Sequence, residues 1–159
     1  MAPDIQFSID GSDSNPFLEV YVNHEWAGMM DILRVGKFKK RSTWKRLECA
    51  ADIATLAQHV KVKTGSKPHY IYQVVETDLM DEHHNKGVGR AMYEHALQEL
   101  PNGGSIVLIP DYCAGGSTSV AARRVWLSLG RSYLSVGDVV ASVKGTRQAS
   151  PVRVAQRLA

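Results

Sequence analysis

Between Tyr70 and Leu100 the chain changes its period abruptly, and no other stretch limits the possible folds so tightly. YIYQVVETDL, residues 70–79, is rich in β-branched and aromatic side chains and reads as a strand. From Val88 the apolar positions become Val88, Ala91, Met92, Ala96 and Leu100, the three- and four-residue steps of one helical face, stopped by Pro101-Asn102-Gly103-Gly104. Joining the two is Asp81-Glu82-His83-His84-Asn85-Lys86-Gly87-Val88-Gly89-Arg90. A strand, a glycine-bearing turn and a helix N-terminus in that order make an anion site, because unpaired amides converge there and the helix dipole favours negative charge. Lys86 and Arg90 add positive charge suited to a pyrophosphate group.

The flanking segments supply a sheet. SIVLI, residues 105–109, is a continuous apolar run of the kind expected for a central strand covered on both faces. A second helical stripe follows at Ala122, Val125, Trp126 and Leu129, with a serine or threonine as N-cap and Gly130 as the stop. Ile5–Ile9, Phe17–Val22 and Trp26–Arg34 read as three strands in meander order, separated by DGSDSNP and by Asn23-His24-Glu25. Leu47, Ala50, Ala51, Ile53, Ala54, Leu56, Ala57 and Val60 predict a helix over about Thr43 to Val62, and Tyr133–Val143 predicts a hairpin around Gly137-Asp138.

With 159 residues, 44% hydrophobic, the chain suffices for one core, so residues 1–143 are expected to form one domain followed by a basic tail, 144–159. Apolar runs such as Ile106–Ile109 fall far short of the roughly 20 residues that span a bilayer, and no membrane association is expected. The first residues show no basic leader with an apolar run, so the expected compartment is the cytoplasm. Cys49 and Cys113, 64 residues apart in no CxxC or Cys/His ligand pattern, are expected to be reduced thiols, and no metal is expected. A net charge of +3 is modest, but Lys37, Lys39, Lys40, Arg41, Lys45 and Arg46 fall in one stretch without an acid, interleaved with Phe38 and Trp44. That stretch is either a solvated loop or a contact for nucleic acid or an acidic partner, as is the tail with Lys144, Arg147, Arg153 and Arg157.

LMDEHHNKGVGRAMYEHAL resembles the pyrophosphate-binding segment of the GCN5-related N-acetyltransferase (GNAT) superfamily: an apolar strand end, Arg or Gln, two residues, Gly, one residue, then Gly or Ala. Gly87 and Gly89 stand at the two glycine positions and His84 at the Arg or Gln position. STSVAARRVWLSLGR is similar to the family's later helix in register, with Ser119, Ala122, Trp126 and Gly130-Arg131 at its Asn, Ala, Tyr and Gly-Phe positions. The resemblance covers Tyr70 to Tyr133. It does not extend to the family's two helices between the first strands, where this chain has only DGSDSNP.

The resemblance implies an α/β fold: a mixed, mostly antiparallel sheet splayed between two central strands, with helices on both faces. It also implies transfer of an acetyl or other acyl group from coenzyme A to a primary amine by direct attack. Asn85, Lys86, Gly87, Val88, Gly89 and Arg90, with His84, would hold the pyrophosphate; Leu79, Met80 and Asp81 would pair the pantetheine and polarise the thioester carbonyl; Ser119 and Trp126 would contact the cofactor. For the base, Glu76 and Asp78 are the strand carboxylates, and of the two Glu76 is the one expected to serve. Because an indole cannot protonate a leaving thiolate, Trp126 passes that role to Tyr133, Tyr112, Ser119 or a water, and Cys113 is a further nucleophile candidate. The alternatives are an inactive binding or assembly module on the same fold, or an enzyme of this type that modifies nucleic acid.

Overall fold

Strict alternation builds the first half of the sheet: Ile5 and Phe7, Leu18, Val20 and Val22, and Met30 and Ile32 are buried while the residues between them are more exposed. The computed structural model describes residues 2–100, 104–142 and 155–157. Strands β1 (Ile5–Gly11), β2 (Pro16–Val22) and β3 (Glu25–Lys37) form the expected meander, and β3 hydrogen-bonds antiparallel to β4 (Tyr70–Leu79). Helix α1 (Ala50–Thr64) joins β3 to β4, and α2 (Val88–Glu99) joins β4 to β5 (Ile106–Pro110), which lies parallel to β4. Helix α3 (Val120–Leu129) then leads into the hairpin β6 (Leu134–Val136) and β7 (Val139–Ser142), and β8 (Ala155–Arg157) lies parallel to β1. The sheet order is β6-β7-β5-β4-β3-β2-β1-β8, an α/β arrangement that is mostly antiparallel.

Two apolar layers sandwich the sheet. On one face α2 and α3 pack through Met92, Ala96, Trp126 and Leu129 onto Phe7, Val20, Ile32, Tyr72, Val74 and Leu108. On the other α1 packs through Ile53, Leu56, Ala57 and Val60 onto Ile71, Val107, Ile109 and Val139. Every residue of β5 is buried, which is why its sequence is apolar without alternation. Among the described residues no helix is long and apolar enough to cross a membrane. The helix stop at residues 101–103 and the tail cations Lys144, Arg147 and Arg153 lie outside the described residues.

Two expectations are corrected. The helix predicted from Thr43 begins only at Ala50, because Trp44 is drawn into the α1-side core: its indole N–H donates to the Phe38 carbonyl at 2.7 Å and its ring stacks on Phe38. A short 3-10 turn covers Arg41–Thr43, and residues 44–49 form turns where the first helical turns are predicted. The cysteines, expected as thiols, form a disulfide, Cα to Cα 5.3 Å, which also removes Cys113 as a nucleophile. The bridge ties the start of α1 to the turn after β5, where the Glu48 amide also donates to the Cys113 carbonyl at 2.9 Å.

Closing a loop of 64 residues, this bridge should stabilise the fold by about 4 kcal/mol through the entropy of the unfolded chain. The purified protein is expected to show no free thiol until reduced, and reduction is expected to lower the melting temperature by roughly 10 °C, read by calorimetry with and without reductant.

Candidate functional site

The site begins with a change of neighbours along β4. Pairing with β5 runs from Tyr70/Ile106 to Val74/Pro110 and ends there, although β4 continues to Leu79. The Gln73 amide donates to the Asp111 carboxylate at 2.6 Å, fixing the point where β5 turns away into the 3-10 turn Asp111–Ala114. Among the described residues no strand pairs with Val75–Leu79 on that side, and these residues are exposed or half-buried.

At the same place β4 bulges. Asp31 pairs with Glu76 and Ile32 with Val74, so Val75 has no partner and the side-chain alternation slips by one residue. Val74 packs toward α2; beyond the bulge Thr77 and Leu79 take that side, Leu79 against the α2 core and Thr77 close enough to the Tyr93 phenol to act on its pKa. Glu76 and Asp78 share the opposite face, as their period-two spacing requires.

After Leu79 the Met80 amide donates to the Ala27 carbonyl at 2.9 Å, and Asp81–His83 make one 3-10 turn. The His84 ring nitrogen Nε2 lies 2.7 Å from the Leu79 carbonyl, to which it donates, and 3.9 Å from the Asp81 carboxylate. Asn85 and Gly87 both have positive φ, +60° and +81°. This conformation swings the chain into α2, whose N-terminus has no side-chain cap, its first intrahelical bond being Ala91 N–H to the Gly87 carbonyl. The amides of Val88, Gly89 and Arg90 precede that bond and have no acceptor within the helix.

The open side of β4, the start of α2 and the start of α3 border one cleft of about 630 Å³. Within the range of small-ligand sites, it is walled by Thr77, Asp78, Leu79 and Asp81 from β4 and its turn, and by His84, Asn85, Gly87 and Gly89 on the α2 side. Ser119, Arg124 and Ser128 come from α3 and its cap; the Ser119 hydroxyl accepts from the Ala122 amide at 3.1 Å.

Other residues singled out in the sequence lie elsewhere. Glu76, Met80 and Lys86 are exposed outside the cleft wall, and Val88 is buried in the core. Trp126, 1% exposed, lies under the cleft with its ring edge-on to Tyr93 at 5.1 Å. Arg90 lines the wall but its guanidinium is engaged within the protein: Nε donates to Glu94 at 3.0 Å, Nη2 to Ser132 at 2.8 Å, and Nη1 to Ser128. Tyr133 donates to the other Glu94 oxygen at 3.2 Å. Tyr112 donates to Asp138 at 2.6 Å, away from the cleft, and burial followed by the Asp138 hydrogen bond pushes its pKa up to about 12.

Two cleft residues had no place in the sequence reading. Tyr93, 3% exposed, presents its phenol between α2 and Thr77, and burial raises its pKa above the usual phenol value, with Thr77 opposing. Its signal was the spacing Gly89-Tyr93-Leu97, a row flanking the apolar stripe. Arg124, exposed on the first turn and a half of α3, adds a cation to the wall. Among known proteins, no family model matches this chain and no curated protein matches its sequence.

Proposed function

We propose that this chain is an N-acyltransferase with a GNAT-like splayed sheet, moving an acetyl or other acyl group from coenzyme A to a primary amine of its acceptor by direct attack. One observation carries the reading: the unpaired side of β4 and the uncapped N-terminus of α2 open into the same cleft. An elongated amide-bearing arm that ends in a pyrophosphate needs these two features, strand-like backbone partners and converging N–H groups. The residues present fit such a donor, since a glycine at position 89 leaves the backbone open and Arg124 supplies charge beside it.

Bound acetyl-coenzyme A would supply an activated thioester. The chain's own groups then manage two protons. Asp78, on the cleft wall, with Glu76 one period before it, takes a proton from the amine directly or through water as the nitrogen–carbon bond forms. The Tyr93 phenol returns a proton to the sulfur as the carbon–sulfur bond breaks, in place of Tyr133, which is committed to Glu94. Backbone N–H groups of the open strand side would receive the charge that develops on the carbonyl oxygen.

The test is calorimetric titration of the purified protein with acetyl-coenzyme A, coenzyme A and an analogue lacking the 3′-phosphate. Binding with a Kd on the order of micromolar is expected, and Gly89→Trp, whose new side chain enters the cleft beside Leu79, is expected to weaken it about tenfold or more with an unchanged melting temperature. Absence of binding up to about 1 mM overturns the reading in favour of a binding or assembly module.

A further inference from the structure

The basic stretch of the sequence folds around the end of β4 remote from the cleft. Lys37 pairs with Tyr70, nine residues before Leu79, so at about 3.3 Å per residue the two places are roughly 30 Å apart. Two adjoining hollows of about 530 and 770 Å³ share Lys37, Lys39 and Tyr70. Together they are lined by six cations, Arg34, Lys37, Lys39, Lys40, Arg41 and Lys67, with His69 beside them, and no carboxylate lines either hollow. Lys67 comes from the turn between α1 and β4, beyond the stretch that the sequence marks as basic. A third, smaller hollow of about 210 Å³ adjoins them through Arg34, His69 and Tyr70 and brings in one carboxylate, Asp13. Among the described residues none of the six cations has an ion-pair partner.

Three of these cations are held in place by rings. Arg34 lies over Tyr70 at 4.6 Å, Arg41 over Trp44 at 5.3 Å and Lys67 over Phe38 at 5.9 Å. Phe38 and Trp44 are buried, so they support charges and offer no free face to a base. We propose that this groove is a binding site for the phosphodiester backbone of nucleic acid, separate from the cleft. Donors and fixed positive charge are all that such a backbone requires. An acidic protein segment would add apolar anchors at the centre of its contact, and here the aromatic residues that could seat them are buried or covered by a cation. Contacts confined to phosphates bind with little dependence on base sequence and weaken steeply with salt.

The test uses the full chain and fluorescence anisotropy of labelled 20-nucleotide single strands and duplexes of mixed sequence, from roughly 50 to 200 mM salt, with polyglutamate as competitor. Wild-type protein is expected to bind both nucleic acids, with little sequence preference and a linear log–log salt dependence. The variant Lys37→Glu/Lys40→Glu/Lys67→Glu changes three exposed side chains and is expected to bind about tenfold or more weakly, with the salt slope reduced by about 2 to 3. Should the triple variant melt early, Lys37→Glu and Lys40→Glu singly are each expected to show part of the loss. The proposal is overturned by absence of wild-type binding at low salt, by undiminished affinity of the charge-reversed variants, or by polyglutamate displacing nucleic acid at equal or lower charge concentration.

Discussion

Replacing Arg90 by Ala is expected to destabilise the protein by about 3 kcal/mol, the lower end of what breaking a buried ion pair costs. Glu94 is only 2% exposed and Arg90 16%; the guanidinium satisfies Glu94 while its other nitrogens reach Ser128 and Ser132, stitching α2 to the end of α3. Without it the carboxylate stays in the interior, where a charge is poorly solvated. In a domain of this size the loss corresponds to a melting temperature lower by roughly 10 °C. Below that temperature acetyl-coenzyme A affinity should change little. A large loss of affinity with an unchanged melt would return Arg90 to the phosphate-binding role that its position after Gly89 suggests.

Tyr93→Phe is expected to do the reverse: kcat falls about a hundredfold, the scale of a lost general acid, while donor affinity and KM move by less than about twofold. Because burial raises the Tyr93 pKa, the neutral, proton-bearing form persists above pH 10, so the alkaline limb of wild-type kcat should lie above the ordinary phenol value and disappear in the Phe variant. A kcat within about threefold of wild type would exclude Tyr93, since a general acid is worth at least about a hundredfold.

Period was the legible part of this sequence. Alternation in β1 to β3, the continuous run of β5 and the stripes of α2 and α3 each report local burial, and burial follows from residue type. Direction and long-range pairing were less legible. Nothing in a 64-residue separation joins Cys49 to Cys113; the crossing of α1 and the end of β5 bring them together. The bulge at Val75 has no glycine to mark it, yet it decides that Thr77 rather than Glu76 faces α2. Arg90 beside a glycine turn suggested an anion ligand by charge type alone. The Arg90–Glu94 spacing of four, which predicts a pair on one helical face, was the signal that could have turned it inward. Trp44 was counted toward a helix although tertiary packing on Phe38 takes it out of one.

The half-paired course of β4 has a consequence for the protein in the absence of any ligand. A strand with one free row of amides and carbonyls is a template on which a second chain can add, the first step of edge-to-edge aggregation. Four exposed carboxylates, Glu76, Asp78, Asp81 and Glu82, stand along or just beyond that row. Like charges brought together by such an addition repel, so these acids act as gatekeepers that keep copies of the protein apart while the strand stays open. Glutamine or asparagine put there to examine the proposed proton transfer also removes a guard, and the colloidal behaviour of such variants is part of what the open strand costs.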